Sequence, residues 1–450
     1  MKITVIGTGH VGLVVGACLA EIGHNVLCLD NDPAKIEALR AGRSPFYEPD
    51  LEAMVRRNLE QKRISFTEEI AEAVSHSEVI FLCLGTPPLP SGEADLSVVE
   101  RVTRQIATMA DSYKLIIGKS TVPVLTGEQI QKTMQIYNQH RNGEQFDVAS
   151  NPEFLAEGTA VYDFLYPDRI VVGVQSAKAE KLLREIYAAV VDQDFPWNLE
   201  RPSPRDGRKI PMLVTNRNSA ELIKHASNSF LAMKISYINA VANLCDRVGA
   251  DIGQVAEGMG FDHRIGPKFL HAGIGFGGFC FPKDLQAFIW IAGKNGCDFR
   301  LLSEVERINL DQINVFLQKV KNEVWVLRGK TLGVWGLSFK PNTDDLRFSP
   351  AITVIEKLLE EGAKLRVYDP KAMDDARKEL PTLTYCASAE EVADGADALL
   401  LLTDWAEFGE VDLAVLRDKM VRPLILDGRN FFKPDEVRAA GFEYVSMGRP

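Results

Sequence analysis

The sequence predicts an α/β protein with two doubly wound parallel-sheet domains, joined by a central helical domain that contains one long helix. Three observations predict this fold. Short apolar strands alternate with amphipathic helices over residues 1 to about 200, the strand signal disappears between about 215 and 325, and a second α/β block begins near Gly329. Repeated strand–helix–strand units are typical of parallel sheets. The predicted domains are residues 1–212, 213–327 and 328–450.

Each predicted strand is a short apolar run between turn-forming residues. In the first block these runs are Ile3–Ile6, Val26–Leu29, Val79–Leu84, Leu115–Gly118, Val148–Ser150 and Ile170–Val172; in the second they are Thr331–Trp335, Lys364–Tyr368, Ala398–Leu402 and Leu424–Leu426. A helical pattern spans Val11 to Ile22, and Asn218–Val248 predicts the long central helix. The charged, Pro-containing segment Asp192–Lys209 has no periodicity and predicts a surface loop.

Composition and charge exclude several classes of protein. Of the 450 residues, 46% are hydrophobic and 25% charged, which is typical of a globular chain. A formal net charge of −11 gives no general attraction to nucleic acid or to anionic membranes, so an anionic ligand needs a local basic cluster. No apolar run approaches the roughly 18 residues of a membrane span, and no signal-like leader precedes the first strand. A cytoplasmic location is therefore expected.

The run Gly7-Thr-Gly-His-Val-Gly12 follows the first predicted strand directly and opens a helix, as in a dinucleotide-binding turn. Gly7 permits the tight turn, Gly9 lets a pyrophosphate approach the backbone, and Gly12 lets the helix pack on the strand. Asp30 ends the second strand, where a carboxylate binds the ribose hydroxyls and repels a 2′-phosphate. The motif predicts a Rossmann-like domain that binds NAD rather than NADP, with Lys35 in reach of the same ribose.

The segment 275–284 (GFGGFCFPKD) distinguishes one cysteine from the others. The seven cysteines are scattered without a CxxC pair, so the sequence predicts neither a disulfide framework nor a metal site, and most are interpreted as packing residues. Cys280 differs because Pro282 suits the first turn of a helix, and both a helix N-terminus and Lys283 stabilise a thiolate. Asp284 lies one helical turn further on, and the glycines leave room for another molecule at the backbone.

A pair of carboxylates follows another strand end. Glu153 and Glu157 come after the strand that ends at Ser150, so they lie at the carboxyl edge of the sheet, where such folds bind ligands. Pro152 suits a helix start, which would place both carboxylates on one helix face. Two carboxylates that face one site suit general acid/base chemistry.

The long helix and a further strand end supply hydrogen-bond donors. Lys224 and Asn228 are four residues apart on the helix, and both can donate to a developing oxyanion. Thr121, in Ser-Thr-Val-Pro after the strand Leu115–Gly118, adds a hydroxyl at the same edge of the sheet.

Seven segments together resemble the UDP-glucose/GDP-mannose dehydrogenase family, in order and over essentially the whole chain. They are GTGHVG at 7–12, STVP at 120–123, NPEFLAEG at 151–158, PDRI at 167–170, AELIKHASN at 220–228, GFGGFCFPKD at 275–284 and GLSFKPNTDDLR at 336–347. The resemblance implies an NAD-binding Rossmann domain, a central helical domain that forms a homodimer, and a C-terminal Rossmann-like domain that binds UDP. It therefore implies a UDP-sugar as the small-molecule substrate.

The reaction that the resemblance implies oxidises the C6 alcohol of UDP-glucose twice and gives UDP-glucuronate. A thiolate that adds to the first aldehyde can carry the acyl group as a thioester until water releases the acid. GFGGFCFPKD and Arg264-Ile-Gly favour UDP-glucose over GDP-mannose or a UDP-N-acetylhexosamine, which remain alternatives within the family. A non-catalytic NAD-binding regulatory protein and a one-step alcohol dehydrogenase are further alternatives, and the latter leaves Cys280 without a purpose.

The resemblance also implies a role for individual residues. Cys280 matches the nucleophile, Lys224 and Asn228 the stabilisers of the oxyanion, Glu153 the base for thioester hydrolysis, and Thr121 and Asp284 the residues that organise a catalytic water. The positions that match NAD contacts are Gly7, Gly9, Val11, Gly12, Asp30, Lys35, Thr86, Thr121, Glu157, Lys283 and Arg347. Those that match UDP-sugar contacts are Glu153, Phe154, Leu155, Glu157, Lys224, Phe269, Leu270, Gly273, Phe276, Gly277 and Lys340, and Arg264 matches an arginine that reaches the neighbouring subunit's site.

Three features depart from the family pattern. Phe279 precedes Cys280 where a small or polar residue is usual, and we expect it to alter the shape of the sugar pocket. The loop Asp192–Lys209 is longer than is typical, and Leu-Gly-Thr-Pro at 84–87 replaces Val-Pro-Thr-Pro. None of these departures removes a catalytic group.

Overall fold

The computed structural model describes residues 1–138 and 146–450. The chain forms two compact units, residues 1–227 with 286–295 and residues 228–285 with 296–450. Two parallel-sheet regions and a helical middle confirm the predicted fold class. The domain boundaries at 212/213 and 327/328 remain predictions.

The elements up to residue 215 are β1 Lys2–Ile6, α1 His10–Glu21, β2 Asn25–Leu29, α2 Pro33–Arg40, α3 Leu51–Glu60, β3 Ile64–Thr67, α4 Ile70–His76, β4 Val79–Leu82, α5 Ser97–Met109, β5 Lys114–Gly118, α6 Thr126–Tyr137, β6 Phe146–Ser150, α7 Ala160–Leu165, β7 Ile170–Gly173, α8 Ala177–Asp192 and β8 Met212–Thr215. The helices that follow are α9 Arg217–Val248, α10 Ile252–Gly260, α11 Cys280–Lys294 and α12 Arg300–Val324. The remaining elements are β9 Thr331–Trp335, α13 Pro350–Glu360, β10 Lys364–Tyr368, α14 Met373–Glu379, β11 Thr384–Tyr385, β12 Ala398–Leu401, α15 Leu413–Lys419, β13 Leu424–Asp427, α16 Pro434–Ala439 and β14 Glu443–Ser446, with short 3-10 helices at Glu391–Ala393 and Ala406–Glu410.

Both sheets have the strand order of a dinucleotide-binding fold. The first runs β3-β2-β1-β4-β5-β6-β7-β8 and the second β11-β10-β9-β12-β13-β14. Neighbouring strands are parallel, except that β6 meets β7 antiparallel at the single pair Ser150↔Gly173. In each sheet the chain adds strands outward on one side of the first strand and then crosses to the other side. The crossing lies between β1 and β4 in the first sheet and between β9 and β12 in the second. A crevice for ligands opens at this switch point, at the carboxyl ends of the strands.

All ten predicted strands are present, and the ends of each agree to within two residues. Four short strands escape prediction: β3, β8, β11 and β14. These four are the outer strands of the two sheets, and none of them is buried along its whole length. Inner strands such as β4 and β12 are buried at every residue, so they appear in the sequence as continuous apolar runs.

The apolar core covers both faces of each sheet. Ile3 and Val5 of β1 pack with α1 on one face, whereas Ile6 of the same strand packs with Ile80 and Leu82 on the other. The alternation places successive side chains on opposite faces, as pleating requires. Because both faces are covered, the polar groups available for chemistry collect at the strand ends.

The segment Asp192–Lys209 is irregular, as predicted, but part of it is buried and not exposed as in a simple surface loop. Phe195 is buried in the core of the first unit. The guanidinium carbon of Arg205 lies 4.3 Å from the centre of the Phe195 ring and 5.3 Å from the Trp197 ring. Cation–π contacts of this kind hold a polar segment against the protein.

The glycine turn after β1 gives a matched pair of variants. A Cβ on Gly12 would lie 1.8 Å from the carbonyl oxygen of Gly7, whereas a Cβ on Gly9 meets nothing within 4 Å. We expect Gly12→Ala to lower the free energy of unfolding by about 1–3 kcal/mol through overpacking, and Gly9→Ala to leave it unchanged. Urea unfolding of both variants tests this; equal stabilities would contradict the described packing.

Candidate active site

The turn after β1 leaves space where a dinucleotide phosphate would lie. Gly7 has φ of +96°, which side-chain-bearing residues rarely adopt, and its amide donates to the carbonyl of Leu29 at 2.8 Å. α1 begins one residue after Gly9, so its N-terminal amide groups point towards the open space above this glycine. Val11 and Gly12 lie in the first turn of α1. These features fit the pyrophosphate of NAD.

Asp30 at the end of β2 is fixed by its neighbours. Its Oδ2 accepts from the amide and the hydroxyl of Thr8, at 2.8 and 2.7 Å, and lies 3.2 Å from Lys35 Nζ. Burial acts to raise the pKa of Asp30, but the bonds from Thr8 and the charge of Lys35 outweigh it and lower the pKa. The carboxyl group is therefore ionised and oriented at the place where a ribose would bind.

The second sheet has a carboxylate, Asp369, at the position equivalent to Asp30, but its hydrogen-bond partners differ. Gly336 has φ of +90° after β9, and Asp369 follows β10, as Gly7 and Asp30 follow β1 and β2. Asp369 Oδ2 accepts from the amides of Leu337 and Ser338 and from the indole of Trp405, at 2.7, 3.1 and 3.1 Å. The carboxylate is 1% exposed, so the chain itself occupies it. The second crevice therefore differs from the NAD-type site.

The loops after β4 and β5 are joined by hydrogen bonds. The hydroxyl of Thr86 donates to the carbonyl of Thr121 at 2.9 Å, and that of Ser120 donates to the carbonyl of Leu84 at 2.7 Å. Two predicted residues, Thr86 and Thr121, thus lie together at the carboxyl edge of the first sheet.

Glu221 fixes the beginning of α9 to this edge. Its carboxylate accepts from the amides of Leu125 and Gly127 and from the hydroxyl of Ser150, each at 2.8 Å. Lys224 follows on α9, and its Nζ lies 3.0 Å from Glu153 Oε1, with both side chains 4% exposed. The structure therefore brings together two predicted catalytic residues as a buried ion pair.

The helix predicted to begin at Pro152 is wrong. Residues 151–156 form neither helix nor strand, and α7 begins only at Ala160. Glu153 accepts from the amide of Leu155 at 2.6 Å, and Glu48 accepts from the amides of Gly158 and Ala160, each at 2.7 Å. These carboxylates take the amide groups that an earlier helix would use.

As a result, Glu153 and Glu157 do not share a helix face. Glu153 is buried, whereas Glu157 is partly exposed. Phe154 and Leu155 between them are partly buried, and the Phe154 ring lies 3.8 Å from the guanidinium carbon of Arg169 and 5.5 Å from Lys224 Nζ. This irregular segment thus presents a carboxylate and an aromatic ring beside the same lysine.

Cys280 is the first residue of α11 and is partly buried. In the same helical turn, Lys283 Nζ lies 2.5 Å from Asp284 Oδ1. The other oxygen of Asp284 accepts from the amide nitrogen of Asn228 at 2.7 Å. Three predicted residues therefore form a buried chain of hydrogen bonds beside the start of the helix that carries the thiol.

Phe279, which departs from the family pattern, makes cation–π contacts with two basic residues. Its ring lies 4.6 Å from the guanidinium carbon of Arg347 and 5.7 Å from Lys283 Nζ. Arg347 also pairs with Asp345, Nη2 to Oδ2 at 2.6 Å. Two of the residues predicted to contact NAD are thus positioned by an aromatic ring.

The glycines before Cys280 serve the packing of the chain itself. A Cβ on Gly277 would lie 2.3 Å from the carbonyl of Phe348, and one on Gly278 would lie 2.6 Å from the Phe339 ring. A Cβ on Gly273 would lie 2.8 Å from the carbonyl of Gly428. Protein atoms therefore fill the space on the Cβ side of these three glycines, and the approach of a ligand to their backbone stays a prediction.

The remaining residues that are predicted to contact the sugar nucleotide differ in their exposure to solvent. Leu270 is buried and Phe269, with φ of +65°, is 37% exposed. The ring of Phe276 lies edge-on to Phe281, 5.7 Å between centres, and Lys340 Nζ lies 5.6 Å from the Phe339 ring. Arg264 is exposed and pairs with Asp262, Nη2 to Oδ2 at 2.5 Å.

One structural arginine was not predicted. Arg429 donates to the carbonyls of Leu402, Gly275 and Phe339, at 2.7, 2.9 and 3.1 Å. Burial lowers the pKa of its guanidinium. It joins the loops after β12 and β9 to the segment that leads to Cys280. Its place directly after β13, at a carboxyl edge, is the signal that identifies it.

Within residues 1–138 and 146–450, no group of three or more His, Cys, Asp or Glu side chains is arranged to hold a metal ion. The same part of the chain contains no helix with the length and apolar character needed to cross a membrane.

Comparison with known proteins identifies the family of this chain. Residues 1–191, 218–311 and 333–434 match the NAD binding, central and UDP binding domains of the UDP-glucose/GDP-mannose dehydrogenase family. The UDP-glucose 6-dehydrogenase TuaD of Bacillus subtilis (strain 168) is 43% identical over 450 residues, which cover 100% of this chain and 93% of that protein. The chain belongs to the UDP-glucose/GDP-mannose dehydrogenase family.

Two solved structures are similar over the full length. A UDP-glucose dehydrogenase from the hyperthermophilic archaeon Pyrobaculum islandicum has a TM-score of 0.88 at 38% identity, covering 99% of this chain and 96% of that one. A UDP-D-ManNAc dehydrogenase from Pyrococcus horikoshii has a TM-score of 0.83 at 27% identity, covering 100% and 99%. The predicted family and the cofactor NAD are thereby confirmed, and the chain is an oxidoreductase.

Asp30 provides a test of the NAD site. We expect Asp30→Ala to raise the Kd for NAD by about 10- to 100-fold, the size of a lost hydrogen bond to a charged group, and to reduce discrimination against NADP. Asp32→Ala is the matched control, because Asp32 caps α2 through the amides of Ala34 and Lys35. Titration calorimetry measures both cofactors; unchanged NAD affinity in Asp30→Ala would contradict the assignment.

Proposed function

We propose that the protein oxidises the C6 alcohol of UDP-glucose to the carboxylate of UDP-glucuronate in two NAD-dependent steps. The observation that carries the proposal is a thiol at the start of α11 beside the hydrogen-bonded chain Lys283–Asp284–Asn228. A simple alcohol dehydrogenase has no use for a nucleophilic thiol in this position, whereas a four-electron oxidation needs a covalent carrier for the intermediate.

UDP-glucose is favoured among the family's substrates. The chain is 43% and 38% identical to two UDP-glucose dehydrogenases, but 27% identical to the UDP-D-ManNAc dehydrogenase. The higher identity to the UDP-glucose dehydrogenases favours UDP-glucose over UDP-D-ManNAc as the substrate. GDP-mannose and UDP-N-acetylhexosamines remain the alternatives that a substrate panel must exclude.

The residues around the glycine turn fit NAD, which accepts a hydride in each oxidation when bound. Gly9 lets the pyrophosphate approach, α1 presents its amide groups, and Asp30 holds the ribose. We assign further contacts to a set of residues that surround these: Val11, Lys35, Thr86, Thr121, Glu157, Lys283 and Arg347.

Cys280 is the proposed nucleophile. Its thiolate, favoured by the N-terminus of α11, adds to the C6 aldehyde and gives a thiohemiacetal. Loss of hydride from C6 then leaves a thioester. The acyl group stays attached to the protein throughout, so the reactive aldehyde is not released.

Lys224 and Asn228 are proposed to donate hydrogen bonds to the oxygen on C6 as negative charge develops there. Glu153 is proposed to accept a proton from the water that attacks the thioester, and attack by this water releases the acid and restores the thiol. The 3.0 Å pair with Lys224 holds Glu153 in place for this transfer. Thr121 and Asp284 are proposed to organise the water.

The UDP-sugar is proposed to bind mainly through the second Rossmann-like domain and the segment before it. The residues assigned to it are Phe154, Leu155, Phe269, Leu270, Gly273, Phe276, Gly277 and Lys340, with Glu153, Glu157 and Lys224 near the sugar. We retain the domains 1–212, 213–327 and 328–450 and a cytoplasmic location as parts of this proposal.

A homodimer through α9 is also part of the proposal. Phe230, Tyr237, Leu244 and Val248 lie on α9 at spacings of seven, seven and four residues, and each is more than half exposed. Such spacing places them along one side of the helix. An exposed apolar row on a helix is typical of a protein interface. Arg264, also exposed, is proposed to reach the partner's sugar site.

A substrate panel with product stoichiometry tests the function. With UDP-glucose, we expect two NADH per sugar nucleotide consumed, because conversion of an alcohol to an acid removes four electrons. Cys280→Ala is expected to form no acid. One NADH with free aldehyde would contradict the covalent mechanism, and faster turnover of GDP-mannose or a UDP-N-acetylhexosamine would contradict the substrate.

A charge on the apolar row tests the dimer. We expect Leu244→Asp to give monomers in sedimentation velocity, because an aspartate in an apolar interface loses its hydration. Val421→Asp is the control, since Val421 is also exposed but lies outside α9. A Leu244→Asp protein that sediments as the wild type does would contradict this interface.

A further inference from the structure

One buried lysine beside the candidate site has no role in the proposed mechanism. Lys119 directly follows β5 and is 5% exposed. Its Nζ donates to Asn151 Oδ1 at 3.1 Å and lies 3.4 Å from the hydroxyl of Tyr187. The partners of this ammonium are neutral oxygens, and burial of a charge against such partners opposes folding.

Asn151 connects Lys119 to the catalytic segment. The same oxygen of Asn151 accepts from Tyr187 at 2.6 Å, while its amide nitrogen donates to the carbonyl of Val171 at 2.7 Å. Every polar atom of the Asn151 side chain is therefore engaged. Glu153 follows two residues later in the same irregular segment, so the bonds of Asn151 fix the chain just before Glu153.

Lys119 also acts on the site through its charge. Glu153, Lys224 and Cys83 are all close enough to influence its titration electrostatically. Cys83 follows β4, and burial raises the pKa of its thiol to about 12, so it is uncharged at neutral pH. The charged groups that face Lys119 are thus the two members of the Glu153–Lys224 pair.

We propose that Lys119 is a positioning residue for thioester hydrolysis: its ammonium holds Asn151, and through it the segment that carries Glu153, and places a second buried positive charge beside the Glu153–Lys224 pair. The inference rests on the proposed function of Glu153 as the hydrolytic base.

The titration of Lys119 agrees with this geometry. Burial lowers its pKa from 10.5 to about 8; the charge of Glu153 opposes this shift and the charge of Lys224 adds to it. The supporting charge is therefore present at neutral pH and is lost as the pH rises through about 8. Because the folded-state pKa is depressed, the unfolded chain binds more protons between about 8 and 10.5, and the contribution of this group to stability rises with pH in that window.

Lys119→Met removes the charge and keeps a side chain of similar length. We expect kcat at pH 7 to fall by roughly 10-fold, because Asn151 loses the bond from the ammonium and Glu153 is held less firmly in the position for proton transfer. In the wild type we expect kcat to fall as the pH rises through about 8, because Lys119 loses its charge there. This alkaline limb of the pH profile should be absent from Lys119→Met. The melting temperature should not fall, because a methionine avoids the cost of burying an ammonium.

Lys119→Arg is the conservative variant. The guanidinium stays charged throughout the accessible pH range, so kcat should stay near the wild-type value with no alkaline limb near pH 8. Retention of that limb in Lys119→Arg would assign it to another group and contradict the inference.

Lys114→Met is the matched control at the other end of β5. Lys114 is also buried, and burial lowers its pKa. Its Nζ donates to the carbonyls of Val74 and Ser77 at 2.6 and 2.7 Å, away from the catalytic segment. We expect this variant to keep the wild-type pH profile. If it loses the alkaline limb too, buried charge in general and not Lys119 is responsible, and the inference is wrong.

The wild-type protein is assayed first on the panel of sugar nucleotides, and the substrate that it oxidises is used for all variants. Wild-type kcat and an unchanged alkaline limb in Lys119→Met would overturn the role of Lys119 while leaving the proposed function intact. Absence of acid formation by the wild type on every substrate would overturn the proposed function and the hydrolytic role of Lys119 together.

Discussion

The site in the first unit depends on the hydrogen bonds that the buried carboxylate of Glu221 accepts. This carboxylate accepts three hydrogen bonds, from Leu125, Gly127 and Ser150, and so fixes α9 to the start of α6 and the end of β6. Burial raises the pKa of Glu221, and the three donors oppose that shift. Lys224 follows one helical turn later, which explains how a surface-type residue comes to lie 3.0 Å from Glu153 in a buried pair.

The inner strands could be predicted because their environment is uniform. Strands such as β4 and β12 are covered on both faces, and their sequences are therefore apolar throughout. The outer strands β3, β8, β11 and β14 have one neighbour and partly exposed residues, so their sequences resemble those of loops. The four missed strands reflect this physical difference between the centre and the edge of a sheet.

The candidate site was predictable where the signal is local. The glycine turn, Asp30 at a strand end and Cys280 at a helix start depend on neighbouring residues. The helix expected after Pro152 fails because Glu48, about a hundred residues away in sequence, binds the amides of Gly158 and Ala160. Partners so distant in sequence leave no trace in a local pattern, and the same reason hides the role of Glu221.

The proposed mechanism requires that Cys280 carries the substrate as a thioester between the second oxidation and hydrolysis. Because Glu153 is the proposed base, we expect Glu153→Gln to slow hydrolysis, so the thioester should accumulate when this variant is mixed with UDP-glucose and NAD. Intact-mass spectrometry should then show a UDP-glucuronyl adduct that maps to the peptide containing Cys280 and is absent from Cys280→Ala. Formation of NADH and acid by Glu153→Gln, with the protein mass unchanged at every time point, would contradict the claim.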